Sequence, residues 1–143
     1  MGLPKLFIDT WGWLTLRDKK ETRHREVTDY YDNFCSTGGL IYTTDYVLDE
    51  TFTLLFRRLP FSQAKESMEL IFNSTEEGDL NVEFITPERF SRTKSLRIMF
   101  NDKPRISFTD LSSMVVMDDL AISQILTSDA HFIHVGKGFQ IVP

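Results

Sequence analysis

The strongest constraint on this chain is an alternation of two periodicities. Short apolar runs at Lys5–Ile8 and at residues 40–43, 82–85, 123–127 and 139–142 are bounded by breakers or polar residues and are too short for helices. Between them lie longer stretches with helical spacing at residues 23–36, 46–58, 63–77, 88–101 and 110–119. Strands separated by helices pair in parallel through crossovers. The expected fold class is therefore α/β, a three-layer α/β/α sandwich with a central, mainly parallel five-stranded sheet. Several boundaries have a local cause: Pro60 stops the second helix, Ser62 caps the third, Gly78 closes it, and Pro87 suits the first turn of the fourth.

Composition limits how many such units there are. With 143 residues and 41% apolar content, the chain can fill one core but not two, so residues 1–143 are expected to form a single domain. No apolar stretch approaches the ~20 residues of a membrane span. The opening residues lack an apolar signal core, which places the expected location in the cytoplasm. A single cysteine, Cys35, allows no internal disulfide and is read as a small buried side chain.

The net charge of −5 argues against a general nucleic-acid coat protein, but the charge is unevenly placed. Residues 1–25 carry six basic and three acidic side chains, and residues 84–105 carry six and two, whereas residues 26–83 carry three and twelve. The basic clusters Arg17, Lys19, Lys20, Arg23, Arg25 and Arg89, Arg92, Lys94, Arg97, Lys103, Arg105 could meet a phosphate backbone or simply form solvated helix faces.

In a parallel sheet, ligands gather beyond the carboxyl ends of the strands. Asp9 follows the first strand, Asp45 the second and Asp129 the fourth, while Asp110 opens the helix leading into the fourth. Each has a structural alternative. Asp9 can cap a helix, Asp110 belongs to a Ser107-based capping box, and Asp129 sits where turn aspartates are common. On a helical projection Glu50 falls beside Leu54 at the margin of the apolar arc, whereas Asp49 falls on the far side. Two carboxylates ~5 Å apart repel by roughly 3 kcal/mol at an effective dielectric near 20, so clustered acids call for a cation or a proton. An all-oxygen donor set favours Mg²⁺ or Mn²⁺ and disfavours zinc.

Four segments, residues 6–10 (LFIDT), 44–51 (TDYVLDET), 106–110 (ISFTD) and 126–132 (LTSDAHF), resemble in order and spacing the four acidic motifs of PIN-domain ribonucleases, above all VapC-type toxins. The resemblance spans nearly the whole chain and implies a PIN-like domain over residues 1–143. It implies that Asp9, Glu50, Asp110 and Asp129 are the catalytic, metal-binding acids, with Asp45 and Asp49 outside the set. Thr10 and Ser107 are expected to support them by hydrogen bonds. The chain departs from the pattern at Trp11 and Trp13, where small residues are common, and at Ala130, where a basic residue is common. Two positions apart on a helix, the tryptophans cannot share a face, and core packing is expected of them. His131 is read as a packed or hydrogen-bonded turn residue.

The resemblance implies a Mg²⁺- or Mn²⁺-dependent endoribonuclease acting on single-stranded or structured RNA as the toxin of a toxin–antitoxin pair, with an antitoxin protein as partner and a homodimer as the assembly. Two alternatives belong to other classes. One is a non-catalytic RNA- or protein-binding module that keeps the fold. The other is a phosphoacceptor signalling domain, which needs an acceptor Asp after the third strand, where this chain has Thr86 and Pro87.

Overall fold

Leu6, Phe7 and Ile8 are completely buried, as expected of a central strand covered on both faces. They belong to a computed structural model that describes residues 2–143. The elements in chain order are β1 (Lys5–Ile8), α1 (Thr10–Arg17), α2 (His24–Ser36), β2 (Leu40–Thr44), α3 (Asp45–Arg58), α4 (Phe61–Glu76), β3 (Leu80–Glu83), α5 (Pro87–Met99), α6 (Phe108–Asp119), β4 (Gln124–Leu126), α7 (His131–His134) and β5 (Gln140–Val142). The sheet has the order β3-β2-β1-β4-β5, and every pairing is parallel. The chain moves outward from β1 to β2 and β3, then returns to β4 and β5 on the other side of β1. Right-handed crossovers therefore place α1 to α4 on one face and α5 to α7 on the other. The expected α/β sandwich is the observed one.

The main core joins the sheet to both helical layers through Phe7, Ile125, Val47, Ile71, Met114, Met117 and Phe132, all at most 1% exposed. A smaller cluster of Leu14, Leu55 and Ala64 sits where α1, α3 and α4 meet. No helix of the described residues is long and apolar enough to cross a membrane.

Four local expectations need correction. Helices α1 and α7 are additional, and Asp9 is the N-cap of α1. Strand β3 starts and ends two residues earlier than the apolar run suggested, because the Ile85 amide donates to Asp45 Oδ1 at 2.9 Å and Phe84 projects 64% exposed. Helix α4 begins at Phe61, since the Pro60 carbonyl accepts from the Gln63 and Ala64 amides, which leaves Ser62 inside the helix and not at its cap. Cys35 is exposed, because α2 buries only Val27 and Phe34.

Candidate functional site

The strand order reverses between β1 and β4, so the connections leaving their carboxyl ends diverge and open a crevice. A cleft of about 510 Å³ lies there, lined by Asp9, Thr10, Glu50, Ser107, Asp110 and Asp129. Trp11, Glu21, Arg58 and Arg105 extend its rim.

Asp9 reaches the cleft as the residue that ends β1 and caps α1. Its Oδ1 accepts from the Gly12 amide at 3.0 Å, and its Oδ2 accepts from the Thr127 hydroxyl. Gly12 is required by proximity: a Cβ there would lie 2.7 Å from the Leu126 carbonyl oxygen and 2.8 Å from Ile8 Cγ2. The bare backbone lets α1 sit directly over β1 and β4, which fixes where Asp9 points. Burial pushes the Asp9 carboxyl up to about 7, against the two hydrogen bonds and with a smaller push from Asp110 and Asp129.

Asp110 enters from the first turn of α6, where Ser107 Oγ caps the helix by accepting from the Asp110 amide at 3.0 Å. Its carboxyl is also raised to about 7. Burial is the main cause, followed by the charge of Asp129, a hydrogen bond to Asp129 that favours the protonated form, and a weaker push from Glu50. Asp129 arrives from the turn after β4. Its Oδ1 accepts from the His131 amide at 2.8 Å and lies 3.1 Å from His131 Nδ1. That contact lacks hydrogen-bond geometry, so the buried Nδ1 has no hydrogen-bond partner among the described residues. One ligand atom each from Asp110, Asp129 and His131 lies within 4.8 Å of the others.

Glu50 is exposed on α3 at the edge of the same cleft, as its place on the helical projection suggests. Asp45 is turned away and holds the Ile85 amide, and Asp49 lines neighbouring depressions. Ser107 supports Asp110 through its cap, while the hydroxyl that grips Asp9 belongs to Thr127 and not to Thr10, which lines the cleft.

Sequence reasoning missed Thr127. Fully buried, it donates to Asp9 and accepts from the Asp129 amide at 3.0 Å, so one side chain couples two acids from distant segments. A Thr directly after a strand and two residues before an aspartate in the following turn was the available signal. Trp13 is core and donates its Nε1–H to Thr43 Oγ1 at 3.1 Å, as expected. Trp11 instead lines the cleft, with the Arg23 guanidinium 5.2 Å from its ring centroid.

Most of the second basic cluster is engaged internally. Arg89 pairs with Glu83 and Asp119, Arg92 with Asp119 and Glu88, and Lys103 with Asp102. Arg97 donates to the carbonyls of Ile106, Phe100 and Lys103. These side chains hold α5, α6 and the intervening loop together and do not form one continuous phosphate-binding rim.

A divalent ion fits this donor set. The cleft gathers Asp9, Glu50, Asp110 and Asp129, and burial, helped by the neighbouring acids, raises Asp9 and Asp110 to about 7. A hard cation displaces their protons and satisfies the oxygens.

No protein-family model and no curated protein matches the sequence. Solved structures do match. The fold aligns with a Mycobacterium tuberculosis toxin, VapC20, described as cleaving the sarcin–ricin loop, at TM-score 0.80 and 25% identity over 96% of this chain and 98% of that one. It also aligns with VapBC2 of Rickettsia felis, solved with a DNA fragment of its promoter, at TM-score 0.69 and 12% identity over 96% and 97%. A third match is FitAcB of Neisseria gonorrhoeae, at TM-score 0.63 and 10% identity over 96% and 97%.

Proposed function

We propose that this chain, which has the fold of VapC-type PIN-domain toxins, is a Mg²⁺- or Mn²⁺-dependent endoribonuclease acting as the toxin of a toxin–antitoxin pair in the cytoplasm. The carrying observation is the convergence of Asp9, Glu50, Asp110 and Asp129, from four separate segments, on one cleft at the point where the sheet order reverses. The similarity to VapC20 supports an RNA substrate and makes a sarcin–ricin stem-loop the first to try. The VapBC2 and FitAcB neighbours support an antitoxin protein as partner. A homodimer and a single PIN-like domain over residues 1–143 complete the reading.

Asp9, Asp110 and Asp129 would hold the ion, with Glu50 contributing directly or through water. A bound divalent ion supplies Lewis acidity toward water and offsets charge on the phosphorane-like transition state. Thr127 keeps Asp9 and Asp129 in fixed relation, and the Ser107 cap sets the first turn of α6 under Asp110. Neutralisation of the acids also removes the repulsion that would keep an RNA phosphate out.

The test is cleavage of ribosomal RNA and of a synthetic sarcin–ricin stem-loop by purified protein with Mn²⁺, Mg²⁺ or EDTA, with mapping of new 5′ ends. Discrete cuts that need the metal and vanish in Asp9→Asn are expected. Intact RNA under every condition, together with no calorimetric uptake of Mn²⁺, would leave only the fold as a binding module.

A further inference from the structure

We infer that the RNA strand runs along a groove wider than the acid cleft, with phosphates on either side of the scissile bond clamped by Arg57 and Arg105. This rests on the nuclease reading and adds the path of the substrate to it. Two further depressions flank the acid cleft and share lining residues with it. One contains Tyr46, Asp49, Thr53, Arg57 and Thr109 and meets the acid cleft at Glu50, which lines both. The other contains Asp102, Lys103, His131 and His134 and meets the cleft at Arg105, again common to both. The acid cleft thus lies between two depressions that each share a lining residue with it, with Arg57 in one and Arg105 at the junction with the other.

The pairing pattern singles out these two cations. Arg58, on the cleft rim, pairs with Glu21 at 3.6 Å, and Lys103 pairs with Asp102 at 2.9 Å. Arg57 and Arg105 are exposed and make no ion pair or side-chain hydrogen bond among the described residues. An unpaired guanidinium keeps its donors for a phosphate and loses no internal partner on binding it. Both are also carried on firm supports. Arg57 stands in the last turn of α3, the helix that bears Glu50. Arg105 stands in the loop from residue 100 to 106, whose carbonyls at Phe100, Lys103 and Ile106 are all gathered by Arg97. A strand held at both sides of an acidic centre is positioned for attack at one bond, which is how phosphate contacts contribute to a reaction they do not touch.

Each arginine should act as one phosphate contact. On single-stranded nucleic acid one contact contributes about 0.7 to the slope of log affinity against log salt, which corresponds to about five-fold in affinity at 0.1 M salt. The probe is a fluorescein-labelled, mixed-sequence, single-stranded RNA of twelve nucleotides, followed by anisotropy with Ca²⁺ as the divalent ion at several salt concentrations. Arg57→Ala and Arg105→Ala are each expected to weaken binding about five-fold and to flatten the slope by about 0.7, and the double variant by about 1.4. Arg105→Lys keeps the slope. Lys94→Ala, an exposed cation of α5 outside the groove, changes neither quantity, and calorimetric Mn²⁺ uptake stays at the wild-type value in all of them. Unchanged slopes in both arginine variants would overturn the clamp while metal-dependent cleavage by the wild type still stands. Failure of the wild type to bind the probe would also overturn it, and the cleavage experiment then judges the nuclease reading separately.

Discussion

Replacing Asp110 by Asn should stabilise the metal-free protein, and by an amount that depends on pH in a defined direction. The Asp110 carboxyl stands at about 7 in the folded chain against an ordinary 3.8, because burial and the Asp129 carboxylate both oppose its charge. The native state therefore retains a proton that the unfolded chain gives up on crossing pH 4. Stability falls as pH rises through the window from about 4 to about 7 and stays low above it. Each pKa unit is worth about 1.4 kcal/mol. Asp110 is incompletely buried and shares its neighbours with Asp9 and Asp129, so about 2–3 kcal/mol at pH 8 is a reasonable yield from removing its charge. Asn keeps the backbone amide that Ser107 caps and can donate to Asp129. For a chain of this length the gain corresponds to roughly 6–10 °C in Tm. The assay is thermal unfolding in EDTA at pH 4.5, 6 and 8. The Tm difference should be smallest at the lowest pH, about a quarter of its full size, and largest at the highest. Millimolar Mn²⁺ should then reverse the order at pH 8, since only the wild type keeps the full donor set and gains from ligand binding. A variant no more stable than wild type at pH 8 without metal, or a difference that does not grow with pH, would refute the idea that these acids crowd one another.

Other consequences are more local. Mn²⁺ affinity should drop about ten-fold per pH unit for each proton displaced as pH falls below 7, measured by calorimetry, because Asp9 and Asp110 must each lose a proton to ligate. Thr127→Val removes the hydroxyl that joins Asp9 to the Asp129 amide; it should cost about 1–3 kcal/mol in denaturant unfolding and lower RNA cleavage at least ten-fold. Gly12→Ala forces α1 off the Leu126 carbonyl and should destabilise the fold by about 1–3 kcal/mol while displacing Asp9, so cleavage falls with stability. Glu50→Gln, at an exposed position, should leave Tm within about 1–2 °C of wild type and lower cleavage, and equal cleavage would remove Glu50 from the site.

The layers of this fold are readable because periodicity records burial. A run such as Leu6, Phe7 and Ile8 is buried whether or not anything else is known, and five such runs spaced by helices leave few topologies. What escapes is set by pairs of residues far apart in the chain. Helix α1 is hidden in Trp11 to Leu14 by a glycine that weakens helix propensity, and that glycine is there for a contact with β4. The end of β3 is decided by Asp45, 40 residues earlier, which takes the Ile85 amide. The basic run after residue 84 resembles a phosphate rim until folding supplies Glu83 and Asp119 to Arg89 and Arg92.

The acids show most clearly why a local reading stops short. In a parallel sheet every crossover helix starts at the carboxyl edge, so the residues that cap those helices and the residues that build a site occupy the same positions. Asp9 accepts from Gly12 as any cap does, and Asp110 sits in a first turn where a carboxylate is favourable anyway. Asp45 begins a helix in the same way yet ends up holding a neighbouring loop. The distinction arises only when the strand order reverses between β1 and β4 and brings Asp9, Asp110 and Asp129 to one cleft, where Asp9 and Asp110 are buried beside another acid. Two carboxyls are driven to about 7 there, chiefly by burial and in smaller part by the neighbouring acids, and both causes come from topology more than from any motif. A capping aspartate exposed at a crossover elsewhere in the sheet would satisfy the same local rule, so burial beside other acids separates this cluster from a cap where spacing does not.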